Sequence, residues 1–152
     1  MIFLEKYHLC IDNQIHKTTQ SNVVIKEMGR RYSLVNSTNS WAVSKVKIEK
    51  CVINSEGEKG CEAILIAEKD KVQSRGYFVE LKGCSVGDGF KQIENSLNKT
   101  VADLVNVILF GRVIPSEYKR TKFLESHQQR LVLTFKKLGG NFIVKESHTD
   151  EI

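Results

Sequence analysis

Gly76-Tyr77-Phe78-Val79-Glu80-Leu81-Lys82-Gly83 decides how this chain is read. The stretch is apolar and β-favouring until Glu80 and Lys82 interrupt it. Side chains two apart on a strand share a face. Phe78, Glu80 and Lys82 therefore fall on one side, and Tyr77, Val79 and Leu81 on the other. Charges at the end of an apolar strand are costly unless they are paired or bind something. Upstream, residues 61–67 are a nearly continuous apolar run broken only by Glu62, the pattern of a strand covered on both faces. The polar residues 68–76 between the two read as a turn. A hairpin sets the start of one strand beside the end of the next, so Glu62 is expected next to Glu80 and Lys82.

Further out, residues 41–53 place Val46 and Ile48 on one face and Lys45, Lys47 and Glu49 on the other, a half-buried strand. A polar hairpin loop follows at 54–60, and the three strands make an antiparallel meander. Tyr32, Leu34 and Asn36 alternate with Ser33 and Val35 in an earlier strand that ends in a turn at 36–40. Residues 22–28 read as a short helix of weak periodicity. Downstream, Ser85 stands at an N-cap position with Asp88 three residues on, and Val86, Phe90, Ile93, Leu97 and Val101 form one apolar helical stripe. Residues 104–114 read as a buried strand ended by Pro115. A second helix is expected at 120–138, with Leu124, His127, Leu131, Phe135 and Leu138 on one face and Gly139-Gly140 at its end. Residues 141–145 make a last strand, and the polar tail from Glu146 is expected to fray. This order predicts an α/β fold, a mixed β-sheet flanked by helices. At 152 residues, without linker or repeat, the chain reads as a single domain, 1–152.

Composition is that of an ordinary globular protein, 41% hydrophobic and 27% charged with one proline, which argues against a disordered chain. No stretch has the apolar length of a membrane span, and Met1-Ile2-Phe3-Leu4-Glu5-Lys6 is too short and charged for an export signal. No membrane partner and a cytoplasmic location are therefore expected, with cysteines 10, 51, 61 and 84 as free thiols. Cys51, Cys61 and Cys84 fall at strand ends. A zinc cluster completed by His8 or His16 competes there with buried thiols, and the spacing matches no usual zinc pattern. The net charge of +5 is concentrated. Seven Lys/Arg and two Glu stand between Arg112 and Lys137, an excess equal to that of the whole chain. Such a stretch suits a polyanion such as nucleic acid; a solvated helix face is the alternative. His127 is expected as a satisfied core histidine, and Trp41 and Tyr32 as core aromatics.

Two carboxylates and a lysine around one point are the makings of a magnesium or manganese site. Hard oxygen ligands hold such an ion, which keeps several waters and takes phosphate oxygens. The metal lowers the pKa of an attacking water, and a lysine steadies charge in the transition state. The competing reading is a plain Glu–Lys ion pair beside one more glutamate.

Glu62, then seventeen residues, then Glu80-Leu81-Lys82, then a helix bearing Gln92, resembles the PD-(D/E)xK nuclease superfamily, the restriction-endonuclease-like nucleases. The likeness covers residues 46–112. Phe78-Val79-Glu80-Leu81-Lys82-Gly83 is similar to the family's third core strand, and Cys61-Glu62-Ala63-Ile64-Leu65-Ile66 to its second. It implies a restriction-endonuclease-like core and metal-dependent hydrolysis of phosphodiesters in nucleic acid, DNA in the first place. Glu62 and Glu80 would be the ligands of Mg2+ (or Mn2+), with Lys82 the catalytic lysine and Gln92 the helix glutamine. Arg112, Lys119, Arg120 and Lys122 would hold phosphates beside the site. A homodimer would let so small a nuclease cut both strands. The chain departs from the pattern in several places. Glu62 stands where the family usually has aspartate, with no proline before it, and Ser96 stands where a tyrosine often follows the glutamine. No helix is evident before the first core strand, and Glu27 is the candidate acid from that region. Residues 1–40 read as an N-terminal extension. With these departures, the same residues also fit a catalytically degenerate module of the fold that binds nucleic acid or a partner protein.

Overall fold

The apolar runs on either side of Glu80 become the middle of a sheet covered on both faces. A computed structural model describes residues 1–82 and 85–152. In chain order its elements are α1 (Ile2–Lys6), β1 (Asn22–Glu27), β2 (Arg30–Val35), β3 (Ala42–Lys47), β4 (Ala63–Lys69), β5 (Gln73–Lys82), α2 (Val86–Thr100), β6 (Ile108–Pro115), α3 (Lys122–Lys137), β7 (Gly139–Val144) and β8 (His148–Glu151). The main sheet has the order β3-β4-β5-β6-β7. Its first three strands form the expected antiparallel meander, and β5, β6 and β7 run parallel, joined by α2 and α3 as crossovers. A second sheet, β1-β2-β8, is also mixed, since β8 pairs parallel with β2. The architecture is therefore α/β with two mixed sheets and flanking helices.

Two cores explain why β4 and β5 are apolar on both faces. Toward the helices, Ile64, Ile66 and Phe78 pack with Phe90 and Ile93 of α2 and with Phe135 of α3. Toward the small sheet, Ala63, Leu65, Tyr77, Val79 and Leu81 pack with Val23, Ile25, Tyr32 and Leu34. Burying side chains of this size is worth about 1.5–3 kcal/mol each, and the division of β5 between the faces is the one its alternation predicts. Residues 1–40 join both cores: Phe3 and Leu4 of α1 on the helix side, β1 and β2 on the other.

Several expectations are corrected. The expected helix at 22–28 is instead β1 and the start of a turn, because Val23 and Ile25 alternate into the core and Met28-Gly29, both at positive φ (45° and 82°), make the tight turn into β2. A two-residue turn of this kind is the usual hairpin link, and Gly29 has the conformational freedom it needs. The half-buried strand at 41–53 ends at Lys47. The turn expected at 68–76 shrinks to residues 70–72, since the flanking strands extend to Lys69 and from Gln73. Ser85 occupies the N-cap of α2 without a side-chain capping bond, whereas Thr121 caps α3 by accepting the Leu124 N–H at 3.2 Å. The tail from Glu146 does not fray. It forms β8, held by Asp150.

The cysteines are corrected as well. Cys10 and Cys51 form a disulfide that ties the segment after α1 to the turn after β3. Free thiols were expected as the consequence of a cytoplasmic location, and for this pair that expectation is overturned. The pairing also removes Cys51 from any zinc cluster. Cys61 is a buried free thiol, and Cys84 lies outside the described residues. No described helix is long and apolar enough to cross a membrane.

Candidate functional site

The candidate residues gather where β4 begins and β5 ends. Ala63 pairs with Val79 in the antiparallel ladder, so the next step brings Glu62 level with Glu80, as the hairpin reading requires. The contact differs from the expected one: the Glu62 backbone N–H donates to Glu80 Oε1 at 3.0 Å. A bend at Glu62, just ahead of β4, breaks the strand alternation there. Glu80 is 4% exposed. Burial drives its pKa from 4.5 up to about 8, with the charges of Glu62 and Glu27 pushing the same way and Lys82 and the Glu62 N–H opposing. Glu62 is half-buried, and its carboxyl is also raised, first by burial and then by Glu27, against the pull of Lys45.

Lys82 closes β5 opposite Pro115. The Ser116 N–H donates to its carbonyl at 3.0 Å. Beside it, α2 approaches through Gly89, where an added Cβ would lie 3.2 Å from Val113 and 3.5 Å from the Lys82 Cβ. Glycine there lets the helix sit close to the lysine stem. Among the described residues no direct ion pair joins Lys82 to Glu80 or Glu62, so the plain Glu–Lys ion pair is not what forms. Gln92 is 6% exposed, and its Nε2 donates to the Gly60 carbonyl at 3.1 Å while its Oε1 has no hydrogen-bond partner. Ser96, one turn after Gln92, accepts the Cys61 N–H at 2.8 Å and donates to the Gln92 carbonyl at 2.7 Å. Both residues thus fix residues 60–61, immediately before Glu62.

Glu27 is the residue whose importance a linear reading understates. It lies on β1 rather than on a helix, yet its charge reaches both Glu62 and Glu80. In the sequence it is singled out only by the family resemblance, as the candidate acid of the region before the first core strand.

Arg112 is a correction. It is 1% exposed and grips Asp150 through Nε–Oδ2 at 2.6 Å and Nη2–Oδ1 at 3.0 Å, while Nη1 donates to the carbonyls of Gly111 and Asn141. Tyr32 and His148 complete the ring of contacts on Asp150. Buried, and with four of its five N–H groups engaged inside the protein, Arg112 is out of reach of a phosphate and holds β8 in place instead. Lys119, Arg120 and Lys122 are exposed. They follow Pro115, the register partner of Lys82, so they emerge at the same end of the sheet as the candidate site. Lys119 pairs loosely with Glu117 at 3.6 Å, and Arg120 lies over the Tyr118 ring. His127 is a satisfied core histidine, bonded to Glu94 and edge-on to Phe90. Trp41 is buried beneath Arg75 and Lys69.

No family model, curated protein or solved structure matches this chain. The chemistry of the site is therefore read from its own atoms. Among the described residues, no three His, Cys, Asp or Glu side chains are placed to share one ion. The oxygen donors of this region are the Glu62 and Glu80 carboxyls and the Gln92 amide oxygen, all hard, and the contacts that link them run through the backbone of residues 60–62 rather than through a shared point. That set fits a cation held by one or two carboxylates and its own waters, the magnesium habit, and does not fit a closed structural cage.

Proposed function

We propose that this chain is a metal-dependent phosphodiesterase of nucleic acid, a DNA endonuclease built on a restriction-endonuclease-like core. The observation that carries the reading is the hydrogen bond from the Glu62 N–H to Glu80, at the end of a buried strand that finishes in Lys82 and leads into a helix packed against it. The strand order supports it too: an antiparallel meander, a helical crossover and a fourth strand parallel to the third.

In this reading Glu80 and Glu62 would hold Mg2+ or Mn2+, which when bound supplies Lewis-acid activation of water and of the phosphate. The chain's own residues do the rest. Lys82, fixed at the strand end by Gly89 and Pro115, orients the attacking water and offers positive charge to the phosphate oxygens. Gln92 holds the Gly60 carbonyl and so keeps the backbone before Glu62 in place, with its buried Oε1 left as an acceptor without a partner. Lys119, Arg120 and Lys122 track the backbone of the strand.

A second reading is favoured by two observations. The described residues offer no three-ligand cluster, and burial keeps Glu80 protonated near neutrality. Both suit a degenerate module of the same fold that binds nucleic acid without cutting it. Cleavage of supercoiled plasmid, linear duplex and single strands with Mg2+ or Mn2+ separates the two. Metal-dependent cutting that is lost in Lys82→Ala is the expected result. DNA retarded at low salt but left intact on every substrate favours the binding module, and cutting that survives Lys82→Ala refutes the proposed site.

A further inference from the structure

Beside the basic residues already assigned to the backbone, the first turn of α3 carries an exposed aromatic that the catalytic reading leaves unused. Phe123 is 72% exposed, an unusual place for a large aromatic unless something covers it. It stands between Arg120 and Lys122 on one side and Ser126, one turn on, on the other. The same segment lines an open cleft of about 760 Å3, walled by Arg120, Lys122, Glu125, Ser126, Gln128 and Gln129, the chain neighbours of Phe123 rather than its ring. Two cations, three neutral hydrogen-bonding side chains and a single carboxylate make it a polar, net positive trough. Tyr118, hydrogen-bonded to Gln128 at 2.7 Å, folds the preceding loop onto the helix and shapes its wall.

The trough is close to the candidate site. Leu124 packs against Gly87 in the first turn of α2, and the loop to α3 departs from Pro115 beside Lys82. A chain of phosphates crossing the end of β5 and β6 would therefore meet Arg120 and Lys122 next. An exposed aromatic flanked by cations is the combination that holds unpaired bases: the ring stacks on a base face, and the cations take the flanking phosphates. In a duplex the base faces are covered by their neighbours, so the ring would have nothing to stack on.

We propose that Phe123, Arg120 and Lys122 form a single-strand-binding element, in which Phe123 stacks on an unpaired base and the substrate of the site carries single-stranded nucleic acid. The inference rests on the nucleic-acid reading above and names its substrate class. Binding is measured by fluorescence anisotropy with labelled oligo-dT of about fifteen nucleotides and with a duplex of equal length, in chelator, so that no cleavage is needed. Salt-dependent oligo-dT binding by the wild type is expected. Phe123→Ala should weaken it about 5- to 100-fold and leave duplex binding unchanged. Phe123→Trp should retain it, with quenching of the new exposed indole against the constant background of buried Trp41. Equal loss on both probes, no loss on oligo-dT, or no oligo-dT binding at all overturns the proposal. Because oligo-dT binding is read in chelator without cleavage, the plasmid-cleavage result for Lys82→Ala judges the nuclease reading separately. Circular dichroism of Phe123→Ala confirms that a solvent-facing substitution leaves the fold intact.

Discussion

Replacing Glu80 by glutamine should stabilise the protein, and increasingly so as pH rises. The side chain is all but removed from water, and its neighbourhood holds two more carboxyls, with Lys82 and the Glu62 N–H as the opposing groups. The native state therefore keeps a proton that the unfolded chain releases near pH 4.5, and gives it up only at about pH 8. Across that window the native state binds more protons than the unfolded chain, so stability falls as pH rises. Below it both states are protonated and the penalty is absent; above it the penalty is complete. At about 1.4 kcal/mol for each tenfold change in proton affinity, a rise from 4.5 to about 8 sets a ceiling of about 5 kcal/mol. Local relaxation and water entry lower that ceiling, and a gain of at least about 1.5 kcal/mol for Glu80→Gln between about pH 5 and about pH 9 is the expected outcome. Urea unfolding of both proteins at each pH measures it, with equal m-values as the check that the unfolded states are alike. The amide oxygen keeps the bond from the Glu62 N–H, so packing changes little. A stability gap that stays flat with pH, or that opens in favour of the wild type as pH rises, would refute this account of the site.

Magnesium should raise the melting temperature of the wild type but not of Glu80→Gln, and more above about pH 8 than below it, because the ion competes with the Glu80 proton; differential scanning fluorimetry across pH tests this. Asp150→Ala should cost about 3–5 kcal/mol in urea unfolding, since it strands a buried guanidinium. Burial pushes the Asp150 carboxyl up, but Arg112, Tyr32 and His148 hold it below its usual range. That stabilisation is present at neutral pH and lost as pH falls through the lowered pKa, so wild type and variant should converge in acid. Reducing the Cys10–Cys51 disulfide, which closes a 41-residue separation, should cost about 2–4 kcal/mol; alkylation followed by mass spectrometry before and after reduction should show two thiols gained.

The main sheet was legible because its strands announce themselves. Residues 61–67 and 76–83 are apolar on both faces, and only a strand between two layers needs that. What hid was polar or short. β8 is His148-Thr149-Asp150-Glu151, with no apolar alternation. It exists because Asp150 reaches a buried arginine across the fold, a partner that no local pattern reveals. The same contact explains the misplacement of Arg112, which linear spacing cannot tell from its exposed neighbours Lys119 and Arg120. β1 hid because Met28-Gly29 lacks the Asn-Gly or Asp-Gly signature of a hairpin turn. The Cys10–Cys51 pair hid because connectivity does not follow from spacing. At the candidate site, alternation and order anticipated that Glu62 falls level with Glu80 at the end of the strand that Lys82 closes. The bend at Glu62 depends on how Gln92 and Ser96 grip residues 60–61, which is a tertiary matter.

The cost at Glu80 is itself informative. A strand buried this deeply gains nothing in stability from a carboxyl whose charged form the surroundings resist, and a glutamine would accept the same hydrogen bond. The neighbouring choices work against stability as well. Glu62 and Glu27 add like charge, and Lys82 stands close enough to attract the carboxyl without pairing with it directly. Strained ionisable groups of this kind concentrate at functional sites, and structural ion networks are the usual exception. The Arg112–Asp150 network in this same chain is such a network, and it behaves differently: its donors are satisfied, and its carboxylate is lowered rather than raised. Set side by side, the two clusters separate a charge that holds the fold together from one that its surroundings resist, and the proposed function assigns the second to a ligand. The end of β5, where α2, Glu62 and the basic loop before α3 converge, is where that partner would bind.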